Sequence, residues 1–114
     1  MANTFKNAAL ANVPTNGFSS GGDLYTCPAS TQTVVLGLAI ANKTTNAVTV
    51  QVQFQDTSAS NATFQLLENV SIPANTTLET LAGQKYILEA GDILKVQAGT
   101  ASALDVVMGL MEKA

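Results

Sequence analysis

The sequence predicts an all-β fold: an antiparallel β-sandwich or jelly roll of about eight strands, preceded by an extended N-terminal arm. Apolar and uncharged polar residues alternate strictly from Val48 to Phe54, and a strand points successive side chains to opposite faces. Turn-forming residues recur at short intervals after residue 23. No segment has the sustained 3.6-residue periodicity of an amphipathic helix. Short strands separated by turns are typical of sandwiches and jelly rolls.

The predicted strands divide the chain from Leu24 onward. A turn that begins at Pro28 separates the first two, because proline presets φ for a turn. Gly91 can supply the positive φ of a tight reversal before the next-to-last strand. In the last strand, alternation assigns Leu104, Val106, Met108 and Leu110 to one face, and we expect Met108 to pack in the core. The predicted strands are Leu24–Cys27, Thr33–Asn42, Val48–Phe54, Thr63–Leu67 with the continuation Asn69–Ile72, Leu78–Leu81, Tyr86–Leu88, Ile93–Gln97 and Leu104–Met111.

The strand Thr33–Asn42 is apolar on both faces. Alternation puts Val34, Leu36, Leu38 and Ile40 on one face and Val35, Gly37, Ala39 and Ala41 on the other. Such a strand is central in a monomer, or it lies against another subunit as well as the core. Both interpretations stay open. The predicted subunit interface consists of Val35, Gly37, Ala39, Ala41 and Met111.

Residues 1–22 differ in composition from residues 23–114. They carry four asparagines, Pro14 and the Gly21–Gly22 pair, with little periodicity. We therefore predict an extended arm over 1–22 and a β-sandwich domain over 23–114. An arm of this kind orders against a neighbour, and we expect deletion of residues 2–20 to leave the fold intact.

The composition favours an assembling protein. The chain has 114 residues, of which 46% are hydrophobic and only 11% charged, below the roughly 25% of ordinary soluble domains. Charge keeps monomers apart in solution, so a surface this poor in charge predicts a homo-oligomer. The net charge of −3 and five scattered lysines argue against nucleic acid, which selects clustered Lys and Arg. No apolar run is long enough for a membrane span, and the N-terminus lacks the apolar region of a secretory signal.

The residues needed for catalysis or metal binding are scarce. There is no histidine, and the single Cys27 lacks an activating base. A free thiol fits synthesis in a reducing cytoplasm. Four carboxylates fall in predicted turns: Glu89, Asp92, Asp56 and Asp23. We expect them to be solvated there. A calcium site or the carboxylate pair of a glycosidase is the alternative. We predict no enzyme, no cofactor and no metal.

The chain resembles the small virion structural proteins of tailed bacteriophages, particularly those of cyanophages and other aquatic phages. The resemblance covers nearly the whole chain and rests on strand and turn motifs. The segments that carry it are Met1–Ala8, Leu24–Ala29, Val34–Asn42, Asn46–Val52, Ile72–Leu78, Ile87–Ala98 and Asp105–Val107.

The resemblance implies a capsid decoration or cement protein, a trimer at the capsid surface that binds the major capsid protein and is made in the bacterial host's cytoplasm. It implies that the arm contacts the shell, and the residues expected to do so are Phe5, Lys6, Leu10, Val13 and Phe18. A neck, tail or baseplate component is the first alternative. A carbohydrate-binding module is the second.

Overall fold

The computed structural model describes residues 3–80 and 85–113. That part of the chain forms nine strands and one 3-10 helix, Thr57–Ala59. The strands are β1 (Asn3–Leu10), β2 (Asp23–Thr26), β3 (Gln32–Asn42), β4 (Val48–Asp56), β5 (Ala62–Ile72), β6 (Thr77–Glu79), β7 (Tyr86–Leu88), β8 (Ile93–Ala98) and β9 (Leu104–Lys113). The all-β prediction is confirmed. The two predicted segments between Thr63 and Ile72 form one strand, and the predicted end of β6 at residue 81 lies outside the described residues.

Two antiparallel sheets form the sandwich. In sheet 1 the order is β1, β9, β3, with β6 and β7 both pairing along the far side of β3. In sheet 2 the order is β2, β8, β4, β5. The antiparallel sandwich predicted from the alternation is thus confirmed.

The core lies between the sheets and is filled by the alternate residues of the longer strands. Leu104, Val106, Met108 and Leu110 of β9, which alternation assigned to one face, are all buried. Sheet 2 contributes Val48, Val50, Val52, Leu94, Val96 and Ala98. Strict alternation in β4 and β9 therefore identified the core face correctly, because each of these strands has one face covered by the opposite sheet.

A β-bulge makes the predicted faces of β3 wrong for the residues that precede it. Val35 lies opposite Leu110 and Gly37 lies opposite Gly109, so Leu36 is an extra residue in the ladder. The bulge shifts the alternation by one residue. Val35 therefore faces the core and is fully buried, whereas Leu36 is 41% exposed. Strict alternation of apolar and polar residues does not reveal where an extra residue is inserted into a strand.

The N-terminal segment is built into the sandwich. Residues 3–10 form the edge strand β1, paired with β9, so this segment does not project as an arm. Val13 is fully buried in the core, and its N–H donates to the Leu104 carbonyl at 2.9 Å. A Cβ at Gly17 or Gly22 would lie 2.0 or 2.4 Å from the Val96 carbonyl oxygen. Deleting residues 2–20 would remove part of the core, contrary to the expectation from composition.

Candidate assembly surface

The outer face of sheet 1 carries a row of four large apolar side chains. Residues directly opposite each other on antiparallel strands lie on the same face. Phe5 lies opposite Met111, Met111 opposite Val34, and Val34 opposite Ile87. Phe5 is 74% exposed and Ile87 is 56% exposed. We call these four residues the apolar row; it crosses four strands.

Small residues follow the apolar row along the strands. The next row pairs Gly109 with Gly37, with Asn7 at its β1 end. The row after that pairs Val107 with Ala39 on one side and Ala9 on the other. We call these three rows together the apolar face. Charged side chains border the apolar face. On β9, Asp105 lies beyond the Val107 row and Lys113 lies beyond the apolar row. On β6, Glu79 lies beside Ala39 at the end of the Val107 row.

The outer face of sheet 2 has the opposite character. Gln51, Gln53 and Gln55 of β4 point outward, opposite Gln97, Lys95 and Ile93 of β8. The glutamines bond across the sheet: Gln53 donates to Gln65 at 3.1 Å, and Gln51 donates to Asn69 at 2.9 Å. One chain thus presents a polar outer face and an apolar one. Monomeric proteins rarely expose a contiguous apolar patch, so the apolar face is the candidate contact surface.

No close contact within the described chain explains why two positions of the apolar face are glycines. Apart from the residues directly before and after each glycine, a Cβ built on Gly37 or Gly109 meets no atom within 4 Å. Glycine weakens a strand because it loses more backbone entropy and packs no side chain, and it is typical where another surface approaches closely. The space above the two glycines at the centre of this face is therefore open.

Four of the five predicted interface residues lie on the outer face of sheet 1. Gly37, Ala39, Ala41 and Met111 are half-buried there. Val35 is not, because the bulge turns it into the core. That the four contact another subunit stays a prediction. Phe5 and Ile87 were missed as members of this face, because only the strand order brings β1 and β7 beside β9 and β3.

The predicted shell-contacting residues are dispersed. Only Phe5 is both apolar and exposed. Lys6 points to the other side of β1 and pairs with Glu112 at 3.4 Å. Leu10 packs against the core, and the Phe18 N–H donates to Gln97 Oε1 at 3.2 Å. Val13 is fully buried, so it cannot contact a shell.

A polar cluster closes one end of the sandwich. The Tyr25 hydroxyl donates to Glu112 Oε2 at 2.5 Å and lies 2.8 Å from Thr33 Oγ1. Burial, and then the bond to Glu112, raises the pKa of Tyr25, whereas the hydrogen bond from Tyr25 and the nearby Lys6 lower the pKa of Glu112. Burial also raises the pKa of the Cys27 thiol, which is 1% exposed. Cys27 is thus a protonated packing residue.

Three of the carboxylates singled out in the sequence meet at one turn. Asp56, Glu89 and Asp92 each place an oxygen within 4.8 Å of the others, whereas Asp23 lies in β2. Asp92 is 1% exposed, which differs from the expected solvated turn. Its two oxygens accept from the Thr57 N–H at 3.0 Å and the Glu89 N–H at 2.9 Å. These bonds make Asp92 a structural link between two loops.

The cavities of the described chain offer little to a sugar. A depression of about 490 Å³ is lined by Ser30, Thr31, Gln32, Ser58, Glu89, Ala90 and Lys113, without an aromatic side chain. An apolar cleft of about 120 Å³ between the sheets is lined by Phe54, Leu66, Tyr86, Ile87, Leu88 and Leu94. Neither combines an aromatic platform with convergent polar groups, so nothing in them favours a carbohydrate-binding module. Within residues 3–80 and 85–113, there is no helix with the length and apolarity needed to cross a membrane.

Comparisons with known proteins identify the fold and no family. No protein-family model matches the chain, and no curated protein matches it. Among solved structures, the chain is similar to a protein of Bacillus endospore appendages, which are disulfide-linked pili (TM-score 0.52, 10% identity, 97% of this chain and 86% of that one). It is equally similar to the Drosophila NLP core, studied for pentamer formation and histone binding (TM-score 0.52, 10% identity, 97% and 99%).

A third similar structure comes from a virus. The chain matches a protein of the T13 particle of infectious bursal disease virus with a TM-score of 0.51 and 10% identity. The match covers 96% of this chain but only 30% of the viral one. At such identities the likeness concerns the fold: this chain has a jelly-roll-like sandwich of the kind found in an icosahedral virus particle.

Proposed function

We propose that this chain is a structural protein of a phage virion, a decoration or cement protein that assembles with other copies and binds the major capsid protein at the capsid surface. The apolar face is the observation that carries the proposal. A face with exposed Phe5, Ile87 and Val107 and two open glycines suits burial in an assembly. The fold shared with a virus particle protein supports the proposal, as does the resemblance to phage virion proteins.

In this proposal the two outer faces have different partners. The apolar face packs against protein of the same assembly, and the glutamine-rich face of sheet 2 binds the shell through uncharged hydrogen bonds. The strand β5 adds a second set of donors and acceptors, because it is the last strand of sheet 2 in the described chain and its outer edge is unpaired. A rigid sandwich held in this way strengthens a shell by bridging neighbouring capsid subunits.

Attachment to the shell through uncharged groups predicts tolerance to salt, because salt screens interactions between charges. The test is co-sedimentation of the purified protein with shells that lack it, at about 0.1 M and about 1 M salt. We expect equal binding at both concentrations. Release at the higher concentration would contradict this mode of attachment.

A single substitution tests the surface. Gln53→Glu places a negative charge in the middle of the sheet 2 outer face, where Gln53 donates to Gln65. We expect it to weaken shell binding at least tenfold, because the carboxylate has no N–H to donate and, even beside Lys95 on the neighbouring strand, loses its hydration on binding. The control is Thr15→Glu, which adds the same charge at an exposed loop position outside both outer faces. Unchanged binding by Gln53→Glu would remove the sheet 2 face from the proposal.

Nothing in the described residues favours three copies over another number, so the trimer implied by the resemblance stays a prediction. The neck, tail or baseplate alternative shares the same structural role. It differs in the number of copies that each virion would hold.

A further inference from the structure

We infer that the apolar face binds the same face of a second copy, across a two-fold axis that passes through the Gly37–Gly109 pair and runs perpendicular to the strands. This inference deepens the assembly part of the proposed function by naming the partner of the apolar face. It rests on the pairing register of sheet 1, on the size of the residues in each row and on the charges at the ends.

The register makes the face self-complementary about this axis. A two-fold axis lying across the strands reverses the strand direction of the second copy, so rows equally distant from the axis on opposite sides meet. Gly37 and Gly109 then lie against their own symmetry mates, where the backbones can approach most closely. The apolar row meets the row that runs from Ala9 through Val107 and Ala39 to Glu79. Phe5 then lies over Ala9 and Val34 over Ala39, so large side chains lie over small ones at these two positions. Met111 lies over Val107, and Ile87 lies over Glu79 at the edge of the contact.

The charges at the two ends complement each other in the same arrangement. Lys113 and Asp105 lie on the same strand, four residues to either side of Gly109. The two-fold axis therefore sets Lys113 of each copy over Asp105 of the other. The Asn12 N–H and Lys43 bind the Asp105 carboxylate and lower its pKa, so it is charged at neutral pH.

An axis parallel to the strands fits less well. It would place the apolar row over itself, with large side chains against large ones, and would leave the two glycines without a close neighbour. It would also leave Lys113 and Asp105 without partners across the contact. The sizes and the charges thus select the same axis.

The face is large enough for a stable contact. Together with the charged residues that border it on β9, the face spans four strand positions at about 4.8 Å spacing and the nine residues from Asp105 to Lys113 at about 3.4 Å per residue. This gives an area on the order of 600 Å² per copy. The sum for two copies, about 1,200 Å², is at the lower end of specific protein interfaces.

The first test is the mass of the purified protein by light scattering after size exclusion. We expect a dimer for the native chain and a monomer for Gly109→Glu, with a dissociation constant raised on the order of 100-fold or more, because two carboxylates meet at the axis. The added side chain has open space in the single chain. The control Gln53→Glu adds the same charge to sheet 2 and should remain a dimer. A monomeric or trimeric native protein, or a dimeric Gly109→Glu variant, would overturn the inference.

The second test asks whether Gly109 lies near a two-fold axis and does not depend on a charge. Identical residues meet only near a two-fold axis, so Gly109→Cys should cross-link to itself with a short bismaleimide, whereas Gln53→Cys on sheet 2 should not. The native Cys27 is buried and serves as the unreactive background. A dimer in which Gly109→Cys fails to cross-link would overturn the two-fold axis. Shell binding is measured separately, so failure of the dimer and failure of the proposed function are distinguishable.

Discussion

Asp92 shows how one buried carboxylate joins two loops of this fold. Its oxygens accept from the backbone N–H groups of Thr57 and Glu89, and its own N–H donates to the Glu89 carbonyl at 2.9 Å. Charged acceptors make stronger hydrogen bonds than neutral ones, and an unpaired buried amide is costly. The role of Asp92 in folding thus follows from these hydrogen bonds.

Replacing Asp92 tests this role at the residue scale. We expect Asp92→Ala to lower the free energy of unfolding by about 1–3 kcal/mol, because two partly buried N–H groups lose their acceptor. Urea unfolding followed by circular dichroism measures it. The matched control is Glu89→Ala: that side chain is exposed, while its backbone N–H remains, so the expected change is within about 0.5 kcal/mol. Equal losses in both variants would show that the Asp92 bonds contribute little.

At the scale of elements, the N-terminal segment combines a loosely held strand with an anchored loop. Within the described residues, the strand β1 pairs only with β9, and most of its residues are exposed. The loop after it is anchored by Val13 in the core and by the Pro14 carbonyl, which accepts from the Ala98 N–H at 3.1 Å. The boundary between replaceable and essential residues therefore falls near Asn12.

The anchor predicts different costs for two neighbouring substitutions. We expect Val13→Ala to destabilise the fold by about 1–3 kcal/mol, because it removes two buried methyl groups and leaves a cavity. Thr15→Ala, at an exposed position in the same loop, should change stability by no more than about 0.5 kcal/mol. Thermal unfolding of the two variants measures both. A Val13→Ala variant as stable as the native chain would mean that the segment is not part of the core.

The strands differ in how far the sequence could predict them. In β4 and β9 one face is covered and the other is not, so alternation gave both the strand and its core residues. The edge strand β1 lacks that signal, because both of its faces are largely exposed. In β3 the bulge at Leu36 changes the phase of the alternation, and Val35 was assigned to the wrong face. The membership of Phe5 and Ile87 in the apolar face depends on strand order, which local sequence does not encode.

At the scale of the whole molecule, the proposed assembly depends on the contrast between the two outer faces. The chain has few charges, and the apolar face lies almost entirely between two charged ends. Burial of that face removes exposed apolar area from water, while the glutamine-rich face remains available for hydrogen bonds. We therefore interpret the protein as a structural unit that functions by assembling.

The most direct measurement is the number of copies of this chain per purified virion, obtained by quantitative mass spectrometry against the major capsid protein. The proposed decoration role predicts copies in numbers comparable to those of the capsid protein, distributed over the shell. A small fixed number would instead indicate the neck, tail or baseplate. Absence of the chain from purified virions would contradict the structural role itself.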